Sequence, residues 1–425
     1  MLAFALHAGC ATAITGSAAQ PAQPANVLML VVDDLRPWLG AYNESWISSP
    51  HVDALAAAGG TVFNHAYANQ AVCGPSRTSF LTGRRPDSTR LYDFGSYWRD
   101  SAAGNFSTLP QYFKAHGYDA RSVGKVFHPI GAMKSGGHAD DMPYSWSAPP
   151  YHPPTQKEKN APVCNNSDIG SAAGYPGLPD DGALHANIVC PVTPADQPGG
   201  TLPDTQSADE AVRLLAGGSG ALGGPGAPPF FLAVGFHKPH IPLKFPRALL
   251  ERYPLAAVPM PLAAALVRPE GLPPVAWDTY DDVRSREDIA ALHVPWPYGP
   301  VPAAFARLVR QAYAGCVSHM DAEVGRVLAA LAARPGLVEN TVVVLFGDRE
   351  FPRQPALALP LLALPAVGGY SPPPLLQPSN TQMGGNCLSE ASSPSTPTPR
   401  PRRTCRSLCA RRSRRRRGRG PRVVR

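Results

Sequence analysis

Two adjacent carboxylates, Asp33 and Asp34, close a short apolar run, and a third, Asp348, closes another. Carboxylate oxygens are the ligands that calcium or magnesium requires, and acids held close together repel until a cation joins them. Two acids alone could instead pair with Arg36; the third, at the end of a second run, favours a hard-metal site. Cys73-Gly-Pro-Ser-Arg77 adds a thiol and a guanidinium in a turn of small residues. A soft thiol is a poor partner for a hard cation, so an unmodified Cys73 is uneasy chemistry beside carboxylates, and a buried core cysteine is the competing reading. Lys125 and His128 follow a further short run, and His237, Lys238 and His240 follow another. For the histidines, a plain core or loop role weighs about as much as a catalytic one on residue type alone.

The elements that must position these groups are legible as apolar runs. Asn26–Val32 and Pro229–Phe236 are continuous and rich in branched or aromatic residues, as are Thr341–Phe346; such runs read as strands buried on both faces of a parallel sheet. Ala120–Val123 reads as a shorter strand, and TVFNHAYA, from Thr61, as another. Helices are expected over His51–Ala58 and Leu109–His116, with a long one over Pro302–Ala333, where apolar residues recur at three and four. Alternating strands and helices predict an α/β fold, in which ligands sit at the carboxyl ends of the strands. The acids, Lys125 and the His237–His240 group all fall there. The stretch from about Ser145 to Pro203 reads as an irregular insertion, in which Cys164 and Cys190 either form a bridge or remain two free thiols.

The chain has 425 residues, 44% of them apolar, enough for a sizeable core. Its formal charge of +8 misleads: 13 of 39 basic residues are arginines between Arg400 and Arg425, and without them the total is −5. Residues 1–23 carry an apolar run and small residues suited to signal cleavage, and no other stretch is long enough to span a membrane. Sequons at Asn43, Asn105 and Asn165 agree with secretion. Residues 24–350 are expected to form the catalytic domain, and residues 351–425, Pro-rich and then Arg-rich, a disordered tail. That tail could neutralise phosphates, yet a secretory start argues against nucleic acid as a partner.

The string CGPSRTSFLTGRRP resembles the signature of the sulfatase family, and VVDDLRP resembles its first metal-binding strand. GNFSTLPQYFKAHGY, SVGKVFHP, PYSWSAPPYHPP and AVGFHKPHIP resemble the branch of the family that removes 2-O-sulfate from iduronate units of sulfated glycans. The resemblance covers roughly Asn26 to Asp348. It implies an alkaline-phosphatase-like α/β fold, with a mostly parallel central sheet flanked by helices. It implies that a formylglycine-generating enzyme converts Cys73 to formylglycine, whose hydrated aldehyde is the nucleophile. One calcium ion would be held by Asp33, Asp34, Asp348 and an oxygen of the modified residue 73. Arg77 and Lys125 would steady the hydroxyls and the developing charge. His128 would take the proton from the hydroxyl that collapses to the aldehyde, and His240 would assist the leaving group. Lys238 would contribute, with His240, to the substrate pocket. The implied setting is the secretory pathway, lysosomal, vacuolar or extracellular.

The likeness breaks after Asp348. The family continues Asp-His-Gly, with a sulfate-binding lysine further on; here Arg349 and Glu350 follow, and no lysine occurs after Lys244. The family's smaller C-terminal subdomain is accordingly expected to be missing, and turnover weak or absent, leaving a glycan-binding protein as the alternative. A shifted reading frame is the hypothesis that explains the break, and sequencing the transcript across the Asp348 codon tests it: a spliced message encoding this tail would sink it.

Overall fold

The computed structural model describes residues 4–6 and 24–348, except 95, 101–103, 129–138, 170–177, 179–180, 219, 261–269, 272–280, 296–298 and 300. The expected tail, residues 351–425, and most of the expected leader lie outside the described residues, as do Arg349 and Glu350.

The strands are β1 (Phe4–Leu6), β2 (Asn26–Val32), β3 (Thr61–Val62), β4 (Asp119–Gly124), β5 (Cys164–Asn165), β6 (Leu184–His185), β7 (Val189–Val192), β8 (Phe230–Phe236), β9 (Leu243–Pro246) and β10 (Thr341–Gly347). Six form one sheet in the order β3-β1-β10-β2-β8-β4. The four strands from β10 to β4 run parallel, and β1 is antiparallel to both its neighbours. Phe4–Leu6, within the expected leader, thus pairs with β10.

Both faces of the central strands are covered, which is why they read as unbroken apolar runs. Successive side chains point to opposite faces. Leu28, Leu30 and Val32 of β2 join Phe230, Leu232, Val234 and Phe236 of β8 in one core; Met29 and Val31 join Phe231 and Ala233 in the other. Each such side chain contributes about 1.5–3 kcal/mol by leaving water. The first core is roofed by α1 (Pro50–Ala57), α4 (Pro203–Leu215) and the 30-residue α5 (Ala303–Ala332). On the other face lie α2 (Cys73–Thr82) and α3 (Leu109–Ala115), the latter closed at its start by reciprocal hydrogen bonds between Thr108 and Gln111.

Two expectations change and one open alternative is settled. TVFNHAYA is a strand only at Thr61–Val62, an edge position, and beyond it Tyr67 is 73% exposed. The Cys73 segment is not a turn but the first turn of a helix; Pro75 fits there because first-turn N–H groups have no partner in the helix. Cys164 and Cys190 form a disulfide, which settles the open alternative and ties β5 to β7 within an irregular insertion of short 3-10 turns and strand pairs.

Candidate active site

Four parallel strands deliver the chemistry at one edge of the sheet. Along the sheet, β10 ends in Asp348, β2 in Asp33 and Asp34, β8 in the His237–His240 segment and β4 in Lys125. The strand ladder carries on into the site: Asp348 N donates to Val32 O at 3.0 Å and Asp33 N to Phe236 O at 3.0 Å. Asp34 then turns the chain with a φ of 61°, and its N–H donates to Asp348 Oδ1 at 3.0 Å. Gly124, at φ 71°, lets β4 turn against β8: a Cβ there would lie 2.0 Å from Gly235 O. That turn sets Lys125 opposite Asp33.

Cys73 opens α2, and the partial positive charge of a helix N-terminus favours negative charge at that end. The thiol is buried, with Sγ 3.4 Å from Asp33 Oδ1, 4.0 Å from Asp34 Oδ1 and 3.6 Å from Lys125 Nζ. Lys125 also forms a close ion pair with Asp33 Oδ2. Arg77, one helical turn on and fully buried, holds two carboxylates at once: Nε donates to Asp348 Oδ2 at 2.8 Å and Nη2 to Asp33 Oδ1 at 3.0 Å. Its remaining bonds go to the Lys125 and Val126 carbonyls. Arg77 is therefore placed as a clamp behind the acids, aligning them across strands.

Three buried carboxylates face two buried cations, and the ionisations reflect that shortage of positive charge. Burial alone would raise Asp33, but Lys125, then Arg77 and His240, outweigh it and hold its carboxyl well below the usual range. Burial pushes Asp348 up, to about 7, with Asp33 and Asp34 adding repulsion against the pull of Arg77. Burial opposes the charge on Lys125 too, yet Asp33 and Cys73 more than restore it.

His240 reaches the cluster from β8. Its Nδ1 bonds to Ile241 O at 2.6 Å, and a carbonyl only accepts, so Nδ1 carries a proton and Nε2 is turned toward the acids. That atom lies 4.0 Å from Asp33 Oδ2. Ligand atoms of Asp33, Asp34, Cys73 and His240 all fall within 4.8 Å of one another. Crowded acids and a raised Asp348 are what a divalent cation would relieve, so the residues present fit one.

Of the residues singled out from sequence, Asp33, Asp34, Cys73, Arg77, Lys125, His240 and Asp348 come together here. His128 lies next door, its ring 4.9 Å from that of Phe94, in a cleft shared with Gly74, Tyr97 and Asp141. Lys238 points elsewhere: Nζ donates to His240 O and Pro242 O at 2.5 Å each, and the side chain lines a separate cleft. Three supports were not singled out. Ser76 donates to the Asp348 carbonyl. Tyr313 of α5 donates to Asp34 O at 2.8 Å and accepts from Arg36 N at 2.9 Å. Asp204 accepts from the N–H groups of His237 and Lys238 at 2.7 Å each. Ser76 sits inside the CGPSR string, but nothing local marks the other two.

A family model described as Sulfatase matches residues 25–366. The chain belongs to the sulfatase family. Sulfatases generally use a formylglycine and a divalent metal. It is 49% identical over 350 residues to the iduronate 2-sulfatase of Mus musculus, covering 82% of this chain and 59% of that protein. To the Homo sapiens iduronate 2-sulfatase it is 50% identical over 323 residues, 76% of this chain and 54% of that one. The chain thus spans somewhat over half the length of these curated relatives. The phosphonate monoester hydrolase of Agrobacterium radiobacter shares the fold, with a TM-score of 0.52 at 19% identity over 77% of this chain and 63% of that one. BT4656, solved with its substrate D-glucosamine-2-N,6-O-disulfate, gives 0.51 at 17% identity over 79% and 67%. Both share the α/β fold of this chain.

Proposed function

We propose that this chain is a sulfuric ester hydrolase that removes 2-O-sulfate from iduronate units of sulfated glycans, with formylglycine made from Cys73 as nucleophile. The observation that carries the reading is the position of residue 73: at a helix N-terminus, within 4.0 Å of Asp33, Asp34 and Lys125. The near 50% identity to iduronate 2-sulfatases supports the substrate.

The metal would be calcium, held by Asp33, Asp34, Asp348 and an oxygen of the modified residue 73; when bound it supplies positive charge beside the reacting oxygens. The chain's own groups do the rest. A hydroxyl of the hydrated aldehyde attacks sulfur, its proton passing to water, and the bond from sulfur to the sugar oxygen breaks. His240 Nε2, once protonated, gives its proton to that oxygen. The second hydroxyl then loses its proton to His128, the carbonyl re-forms and sulfate leaves. Serine has no second hydroxyl, which is the physical reason for the modification. Lys125 offsets charge that develops on the hydroxyls, and Arg77 keeps Asp33 and Asp348 aligned. Lys238 supports the substrate side by fixing the His240 carbonyl.

The proposed partners are a sulfated glycan and the formylglycine-generating enzyme, with no role for nucleic acid. The proposed setting is the secretory pathway, lysosomal or extracellular. Among the described residues no helix is long and apolar enough to cross a membrane, and the sequon residues Asn43 and Asn105 are exposed.

The test is coexpression with the formylglycine-generating enzyme, followed by mass spectrometry of the residue-73 peptide and assay of sulfate release from a 2-sulfated iduronate substrate. An aldehyde and slow release are expected, with faster release in Arg349→His, which restores the family's histidine. An aldehyde-bearing chain that binds the glycan but releases no sulfate in either form would leave a binding protein instead.

A further inference from the structure

The segment after β8 has two sides. One sends His240 to Asp33; the other opens on a solvent-open cleft of about 450 Å3. Lys238, Lys244 and His319 line this cleft together with Pro203 and Asp204, the first residues of α4. None of Asp33, Asp34, Cys73, Arg77 and Lys125 lines it.

Its two lysines are donors short of acceptors. Lys244 is 7% exposed, and its ammonium makes one long hydrogen bond, 3.5 Å to Glu158 O, with no ion pair among the described residues. Lys238 donates two of its three protons to backbone carbonyls, leaving the third. His319 is 5% exposed; Nδ1 lies 3.9 Å from Glu323 Oε1, while Nε2 has no hydrogen-bond partner. The 13-residue α4 starts here with no capping side chain at Leu202, so the positive end of its dipole meets the cleft. Of the two acids that line the cleft, Asp204 is committed to the backbone N–H groups of His237 and Lys238 and to His237 Nδ1, and Glu158, its side chain 39% exposed, makes no ion pair with Lys244. Burial, then repulsion from Lys238 and Arg286, push Lys244 down to about 8 against a smaller pull from Glu158.

A buried ammonium without an ion pair, as at Lys244, is costly, and a bound anion removes that cost. We propose that the cleft lined by Lys238, Lys244 and His319 binds a tetrahedral oxyanion, either free sulfate or phosphate or the sulfate group of a glycan. The site stands on its own geometry and does not depend on hydrolysis at residue 73.

The test uses the full chain and selenate, a scatterer with the shape and charge of sulfate. Diffraction is expected to place an anomalous peak within hydrogen-bond distance of Lys244 Nζ and His319 Nε2; no peak there, or one only beside Cys73, overturns the proposal. In solution, millimolar inorganic sulfate is compared with chloride at matched ionic strength, below the range in which sulfate stabilises proteins generally. Apparent affinity is expected to fall at least tenfold in Lys244→Met and in His319→Gln, and to persist in Lys244→Arg. Unchanged affinity in both neutral variants overturns the site, and either one suffices if the other does not fold. A heparin-derived sulfated disaccharide separates the sources: displacement of selenate from the cleft assigns a glycan sulfate, and selenate binding without displacement assigns the free ion.

Discussion

The two sides of the His237–Lys244 segment are opposite in charge balance. Around Cys73, three buried carboxylates meet two buried cations that pair with them; across the segment, Lys244 is buried with donors left over and His319 Nε2 has no partner. Both regions hold buried polar groups, so burial alone does not tell them apart. What separates them is the sign of the missing charge. The first fits a divalent cation and the second an anion, and the same physical rule serves for both: a buried charge persists when a partner neutralises it.

Removing one cation from each side should therefore have opposite effects on stability. Arg77→Ala strips Asp33 and Asp348 of their shared donor and is expected to destabilise the fold by about 3–5 kcal/mol in denaturant titrations. A loss under about 1 kcal/mol would break the comparison. Next in size is the metal: at a hundredfold excess of calcium over its dissociation constant, stability should rise by about 2.7 kcal/mol and fall back on chelation. Asp34→Asn should blunt that response, whereas Lys244→Met should leave it intact.

The smallest effect is on the other side. The folded-state pKa of Lys244 lies below its unfolded value, at about 8, so the penalty for its charge is full below pH 8 and disappears above the unfolded lysine value near pH 10.4. Without added oxyanion, Lys244→Met should be more stable than the parent at pH 7 by about 1–2 kcal/mol, and the gain should shrink toward pH 10. Thermal unfolding against pH reads this directly. A Lys244→Met protein less stable at pH 7 than at pH 10, relative to the parent, would reverse the sign.

Much of the acidic side was legible because it is built from strand ends. Asn26–Val32, Phe230–Phe236 and Thr341–Gly347 are apolar on both faces, and a charge that follows such a run must emerge at the carboxyl edge of the sheet. The Cys73 helix was harder to see: nine of its ten residues are buried, so it has no polar face and no period. Tyr313 and Asp204 could not be placed from sequence, since each acts on backbone more than 30 positions away, on Asp34 O and on His237 N. Lys238 shows the limit of reading a motif as a unit. It is two residues from His240, but the chain turns between them and sends the two side chains to opposite sides of the segment.

The account rests on residue 73 as the atom that takes the sulfate. Cys73→Ser offers one hydroxyl in the same place and, without a second, no way to expel what it accepts. Incubated with a 2-sulfated iduronate substrate, that variant should accumulate a sulfate ester on the residue-73 peptide, visible by mass spectrometry, while net turnover stops. An unmodified peptide from that variant, alongside sulfate release by the aldehyde-bearing parent, would contradict the assignment.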